Sequence, residues 1–115
     1  MEERLPLVLL VEDDPADAML ITRSLQKAGI LARIVHLKDG DEAVAYLSGS
    51  GPNAATGPSW PWLILLDLKL PRRSGLEVLQ WIRQQKSEVA RVPVIMSSIA
   101  LRTRALVFDQ VAVPR

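Results

Sequence analysis

Short, wholly apolar runs alternate along this chain with longer stretches in which apolar residues recur every three or four positions. Leu7-Val8-Leu9-Leu10-Val11 is apolar at every position and stops abruptly at Glu12-Asp13-Asp14. A run this short, apolar on both faces, predicts a central parallel strand covered on both sides. Asp14-Pro15 reads as a helix start, with Asp14 as N-cap and Pro15 at the first helical position. Ala18, Ile21, Leu25 and Ala28 follow as one apolar stripe, and Gly29 closes the helix. Residues 32–37 predict a second strand. Asp39-Gly40 marks a turn, after which Ala43, Val44 and Leu47 face one side of a short helix.

Residues 48–61 are rich in Gly, Pro and Ser and predict a loop. Composition does not shift across it, so it reads as an insertion within one domain. Trp62-Leu63-Ile64-Leu65-Leu66 is a second fully apolar strand, and it too ends on an acid, Asp67. Ser74-Gly75 opens a helix with Val78, Leu79 and Ile82 on one face. Residues 92–96 predict a fourth strand ending at Ser97-Ser98, and Leu101, Ala105, Phe108 and Ala112 form a last helical stripe. The order βαβαβαβα argues for an α/β fold, a parallel sheet with helices on both faces. Such sheets gather ligands at the carboxyl ends of their strands. Three of the four predicted strands end in groups useful for chemistry.

Composition narrows this picture. A chain of 115 residues suits one domain, and 49% hydrophobic with 23% charged residues describes a globular protein, not a disordered one. The net charge of +1 makes no electrostatic case for nucleic acid. The absence of cysteine excludes disulfides and thiolate metal sites. No apolar stretch approaches the ~20 residues of a membrane span. Nothing resembles a signal peptide, so a cytoplasmic protein is expected.

Glu12, Asp13 and Asp67 are the chemistry-bearing set. Two central strands deliver these carboxylates to one edge of the sheet, where like charges repel. A cation relieves that cost, and oxygen-only donors favour a hard ion such as Mg²⁺. Asp67 is then placed to act as an oxygen nucleophile towards a phosphoryl group. Ser98, at the end of the next strand, offers a hydroxyl to a phosphoryl oxygen.

LLVEDDP, LLDLKLPRRSG and VPVIMSS, in that order, closely resemble the motifs of response-regulator receiver domains. The long loop before the Asp67 strand and the wording DLKLPRRSG are most similar to the stand-alone regulators of bacterial phytochrome kinases. The resemblance runs from residue 7 to about 98. It implies a flavodoxin-like doubly wound sheet of strand order 2-1-3-4 and a signalling domain, not an enzyme. Carried over by position, Glu12 and Asp13 match the acidic pair, with Asp13 the direct metal ligand. Asp67 matches the phospho-acceptor, and Lys69 the residue whose main-chain carbonyl joins the Mg²⁺ shell. Ser98 matches the switch hydroxyl when counted from Pro93; Ser97 takes that place if the strand is one residue shorter. The partner implied is a sensor histidine kinase of the phytochrome type, with output through protein–protein contact, and no nucleic acid or membrane is involved.

The C-terminal part departs from the family pattern. Residues 105–112 resemble the family's fourth helix, but the fifth strand, with its aromatic residue and Lys-Pro pair, and the fifth helix have no counterpart. The expectation is therefore a single receiver domain over residues 1–115, C-terminally truncated relative to the family. Its uncovered edge is expected to leave a marginal fold or to be met by a homodimer or a strand-exchanged dimer. The alternative function is a receiver-like interaction module that does not switch, because the phosphoryl-reading lysine is missing. An aspartyl phosphatase fits less well, since Lys69 stands where that chemistry wants a second acid.

Other polar residues have plainer readings. Arg72 and Arg73 read as a solvated loop, His36 as a surface or packed imidazole, and the Lys69 side chain as solvated. Trp60, Trp62 and Trp81 read as packing residues, with Trp81 off the apolar stripe.

Overall fold

The structure, a computed structural model, describes residues 5–49 and 61–97. The predicted last helical stripe, Trp60 and most of the Gly/Pro/Ser-rich loop lie outside the described residues. Within them the chain forms β1 (Leu7–Val11), α1 (Pro15–Lys27), β2 (Arg33–Leu37), α2 (Gly40–Leu47), β3 (Leu63–Asp67), α3 (Gly75–Arg83), a 3-10 turn (Glu88–Arg91) and β4 (Val94–Ser97).

The four strands pair in parallel in the order β2-β1-β3-β4, the order expected of the flavodoxin-like fold. Alternation of side chains along each strand splits the core into two layers. Val8, Leu10, Leu63 and Leu65 meet Ala18, Ile21 and Leu25 of α1 on one face. Leu7, Leu9, Val11, Ile64 and Leu66 meet Ala43 and Leu47 of α2, and Val78 and Ile82 of α3, on the other. Every residue of β1 and β3 is buried, which is why those runs carry no polar alternation. β2 and β4 are the outer strands among the described residues; on β2, Arg33 and His36 are exposed and Ile34 and Val35 half-buried.

The helix starts follow local hydrogen-bond chemistry. Asp14 caps α1 by accepting from the Ala16 amide at 2.8 Å, and Gly29, at φ 78°, ends the turn beyond the helix. Asp39 caps α2 by accepting from the Glu42 amide at 2.8 Å. Ser74 and Glu77 form a reciprocal capping box at the start of α3. Among the described residues no helix is long and apolar enough to cross a membrane.

Three strand bounds differ from the pattern-based expectation. β2 begins at Arg33 instead of Ala32, and β3 begins at Leu63 instead of Trp62, ending on Asp67 as expected. β4 begins at Val94, because the Val92 amide still closes the 3-10 turn by donating to Val89 O at 3.2 Å and Pro93 has no N–H to give a ladder. The Arg83 guanidinium ties that turn to α3, donating to the carbonyls of Ala90 at 2.8 Å and Val92 at 2.9 Å. Trp62 and Trp81 are both half-buried against the core, as packing residues should be.

Candidate functional site

β1 and β3 are adjacent and parallel, so their carboxyl ends meet at one edge of the sheet. Glu12 continues β1 and is 1% exposed; Asp67 ends β3 and is 3% exposed. Asp13, one residue further on, is exposed. One carboxylate oxygen from each of the three lies within 4.8 Å of the others. A fourth acid, Asp17 in the first turn of α1, is also buried.

Glu12 and Asp67 are held by backbone. The Glu12 amide donates to the Leu37 carbonyl at 2.9 Å, carrying the β1–β2 ladder one residue past the strand. The Glu12 carbonyl accepts from His36 Nε2 at 2.6 Å, which places the ring proton on Nε2. The Asp14 amide donates to Glu12 Oε2 at 3.2 Å. The Lys69 amide donates to Asp67 Oδ1 at 3.2 Å, whereas Asp67 Oδ2 is buried with no hydrogen-bond partner.

Burial above all, with the nearby Asp67 charge, pushes the Glu12 carboxyl up to about 7 against the opposing pull of the Asp14 amide. Asp17 adds a further small push in the same direction. Two adjacent carboxylates in a poorly hydrated pocket cannot both ionise cheaply without a counter-charge.

The donor set therefore fits a hard divalent cation. It offers oxygen ligands only, clustered, partly solvent-open at Asp13, with one buried carboxylate oxygen unsatisfied. The loop between β3 and α3 wraps tightly below it. The Gly75 amide donates to the Leu68 carbonyl at 3.1 Å, and a Cβ on Gly75 would lie 2.1 Å from the Asp67 carbonyl oxygen.

Glu12, Asp13 and Asp67 thus come together from separate segments. Lys69 is adjacent, its side chain exposed as read from the sequence, and its amide is the group that meets Asp67. Ser97 is the β4 residue in register with Asp67; Ser98 lies outside the described residues.

Arg72 lies in solvent as read from the sequence, with its side chain 69% exposed, and Arg73 is half-buried; both also meet acids. Arg72 Nε lies 3.7 Å from Asp39 Oδ2, and Arg73 Nε donates to Asp41 Oδ1 at 3.1 Å. Their partners stand more than thirty positions back in the chain, so no local pattern reveals them. The bond from His36 to Glu12 was missed for the same reason, since it depends on the β1–β2 register. Asp17 was missed because an acid in a first helical turn ordinarily reads as a partner of the helix dipole.

The profile of the response regulator receiver domain matches residues 8–109. The chain belongs to the response regulator receiver family. Receiver domains are signalling domains of two-component systems, and the relatives of this one include phytochrome response regulators. Response regulator Rcp1 of Synechocystis sp. is 40% identical over 90 residues, 78% of this chain and 59% of Rcp1. The Mn²⁺-bound form of Rcp1 superposes with a TM-score of 0.68 at 39% identity, over 79% of this chain and 63% of that one. The bacteriophytochrome response regulator RtBRR gives a TM-score of 0.73 at 39% identity, over 80% and 55% of the two chains. The phosphorylated cyanobacterial phytochrome response regulator RcpA gives 0.71 at 39% identity, over 83% and 67%. This receiver chain spans less than two thirds of the length of Rcp1 and of RtBRR.

Proposed function

We propose that this receiver domain accepts a phosphoryl group on Asp67 from a histidine kinase, with Mg²⁺ held by Glu12, Asp13, Asp67 and the main-chain carbonyl of Lys69. The observation that carries the reading is the state of Asp67. One of its oxygens is fixed by the Lys69 amide, and the other is buried, unpartnered and among carboxylates.

In the proposed transfer, an Asp67 carboxylate oxygen forms a bond to phosphorus while the P–N bond of a phosphohistidine breaks. The imidazole leaves with the electron pair and takes up a proton. Bound Mg²⁺ would supply the positive charge that lets an anionic phosphoryl group approach an anionic pocket. The Lys69 amide fixes the carboxylate, and burial of Asp67 and Glu12 keeps competing water away. The hydroxyl of Ser98, or of Ser97, would donate to a phosphoryl oxygen.

The similarity to Rcp1, RtBRR and RcpA supports a kinase of the phytochrome type as the donor, in the cytoplasm, with output by protein–protein contact. The same reading treats the chain as a single receiver domain that self-associates, as a homodimer or by strand exchange.

The test is chemical. The protein is incubated with Mg²⁺ and acetyl phosphate, and its intact mass is measured beside an Asp67→Asn variant. A gain of one phosphoryl group, absent in the variant, supports the reading. A folded protein that gains none, or a variant that gains as much, removes Asp67 from this role.

A further inference from the structure

The two segments that carry the acidic pocket are both fastened to a third, the end of β2 and the turn that leads from it into α2. On one side, β1 ends against it: the Glu12 amide donates to Leu37 O at 2.9 Å and His36 Nε2 donates to Glu12 O at 2.6 Å. On the other side, the β3–α3 loop lies across the start of α2. The Gly40 amide approaches Pro71 O at 3.5 Å, Arg72 faces Asp39 at 3.7 Å, and Arg73 donates to Asp41 at 3.1 Å.

The contact at Gly40 is closer than any other residue allows. A Cβ there would lie 2.2 Å from the Arg73 carbonyl oxygen and 2.6 Å from Arg73 Cβ. Asp39 is engaged twice, its Oδ1 capping α2 through the Glu42 amide and its Oδ2 facing Arg72. Arg72 itself sits at φ 70°, a left-handed conformation that a non-glycine residue holds only when its surroundings impose it. The loop's other end is fixed at the pocket, through Lys69 N to Asp67 Oδ1 and Gly75 N to Leu68 O. Glu12, β2, the α2 start, the β3–α3 loop and Asp67 thus form a closed ring of contacts.

We infer that this ring couples the occupancy of the acidic pocket to the start of α2, through the Gly40–Arg73 approach and the pairs Arg72–Asp39 and Arg73–Asp41. This rests on the proposal that Asp67 accepts a phosphoryl group. An aspartyl phosphate carries ~1.5 to 2 negative charges where the carboxylate carried one, and it brings three acceptor oxygens beside the Lys69 amide, so the β3–α3 loop re-forms around it. Ser74 fastens the loop's end to α3 and Leu70 sits in the core, while its charged side chains are anchored at the start of α2. Its movement therefore changes the cap that Asp39 provides. Coupling is reciprocal: what disturbs the α2 contact weakens the pocket's hold on its cation.

Hydrogen exchange read by mass spectrometry on the full chain tests this, with and without Mg²⁺ and acetyl phosphate, and with intact mass measured on the same samples. Exchange in residues 38–47 is expected to change at least ~3-fold on phosphorylation, while residues 18–27 of α1 stay unchanged. An Asp41→Asn, Arg73→Gln double variant, altered only at partly exposed positions, should still be phosphorylated but lose that response. The charge-swapped pair Asp41→Arg, Arg73→Asp should regain it. Gly40→Ala, where it folds, should bind Mg²⁺ at least ~3-fold more weakly. A phosphoryl gain with no exchange change at 38–47, or a response that survives the double variant, overturns the coupling and leaves phosphorylation standing. No phosphoryl gain in the parent protein overturns both.

Discussion

The Lys69 amide donates to Asp67 Oδ1 at 3.2 Å, while Oδ2 of the same carboxylate is buried without a hydrogen-bond partner. An unsatisfied buried carboxylate oxygen beside Glu12 destabilises the protein when no cation is bound. Asp67→Asn removes one charge and gives the position an amide donor that Glu12 can accept. In divalent-free buffer this variant should be more stable than the parent by about 1–2 kcal/mol in urea denaturation. Saturating Mg²⁺ should reverse the order, because only the parent keeps the full ligand set. A variant less stable than the parent in chelator would show that the pocket is not electrostatically strained.

The Glu12 carboxyl supplies a pH signature. It is raised from 4.5 to about 7, chiefly by burial and then by Asp67. Between those values the folded state keeps a proton that the unfolded state releases. Stability from protonated Glu12 is therefore complete below about pH 4.5 and is lost as pH rises through about 7. The full effect is about 3 kcal/mol at most, from ~1.36 kcal/mol per tenfold change in proton affinity. In chelator, the melting temperature should fall from pH 5 towards pH 8, and Glu12→Gln should flatten that fall. Mg²⁺ affinity should rise over the same interval, since the cation competes with the proton. A melting temperature that rises steadily across this range would place the raised group elsewhere.

Gly75 sets how closely α3 starts beneath the acceptor. A Cβ there would lie 2.1 Å from Asp67 O and 2.9 Å from Leu68 Cα, both backbone atoms that cannot rotate aside. Gly75→Ala should cost about 2–3 kcal/mol, even though alanine is the better helix former. It should also weaken Mg²⁺ binding, because the forced shift falls on the residue that carries the carboxylate. Calorimetric titration with Mg²⁺ on the folded fraction measures this; unchanged affinity would mean that the strain relaxes into α3 instead.

Much of this was legible in the sequence, for identifiable reasons. Leu7–Val11 and Leu63–Leu66 are apolar at every position because both faces are covered, and each run meets an acid where the sheet edge meets water. The caps at Asp14, Asp39 and Ser74 are local chemistry, readable within four residues. What pattern alone did not reveal depends on register or on distant partners. His36 reaches Glu12 only because Leu10 and His36 are paired across β1 and β2. Arg72 and Arg73 read as solvated because Asp39 and Asp41 are remote in the chain. β4 starts two residues later than the apolar pattern suggests, since Val92 is buried like a strand residue although its amide still closes the preceding turn.

Arg72 offers a test of the loop's conformation that is separate from its charge. At φ 70° a non-glycine residue pays about 1–2 kcal/mol in contact between Cβ and the neighbouring carbonyl. Its ion pair with Asp39 offsets little of this, because the arginine side chain is 69% exposed and the separation is 3.7 Å. Arg72→Gly removes the strain and adds ~0.5–1 kcal/mol of unfolded-state entropy, so its stability should fall within about 1 kcal/mol of the parent. Arg72→Val loses the same pair and brings a β-branched side chain into the left-handed region, and should be less stable than the glycine variant by at least about 2 kcal/mol. Denaturant midpoints of the three proteins at neutral pH give the order directly. A valine variant as stable as the glycine one would mean that the loop leaves this conformation at no cost, and that Arg72 is not held there by the α2 contact.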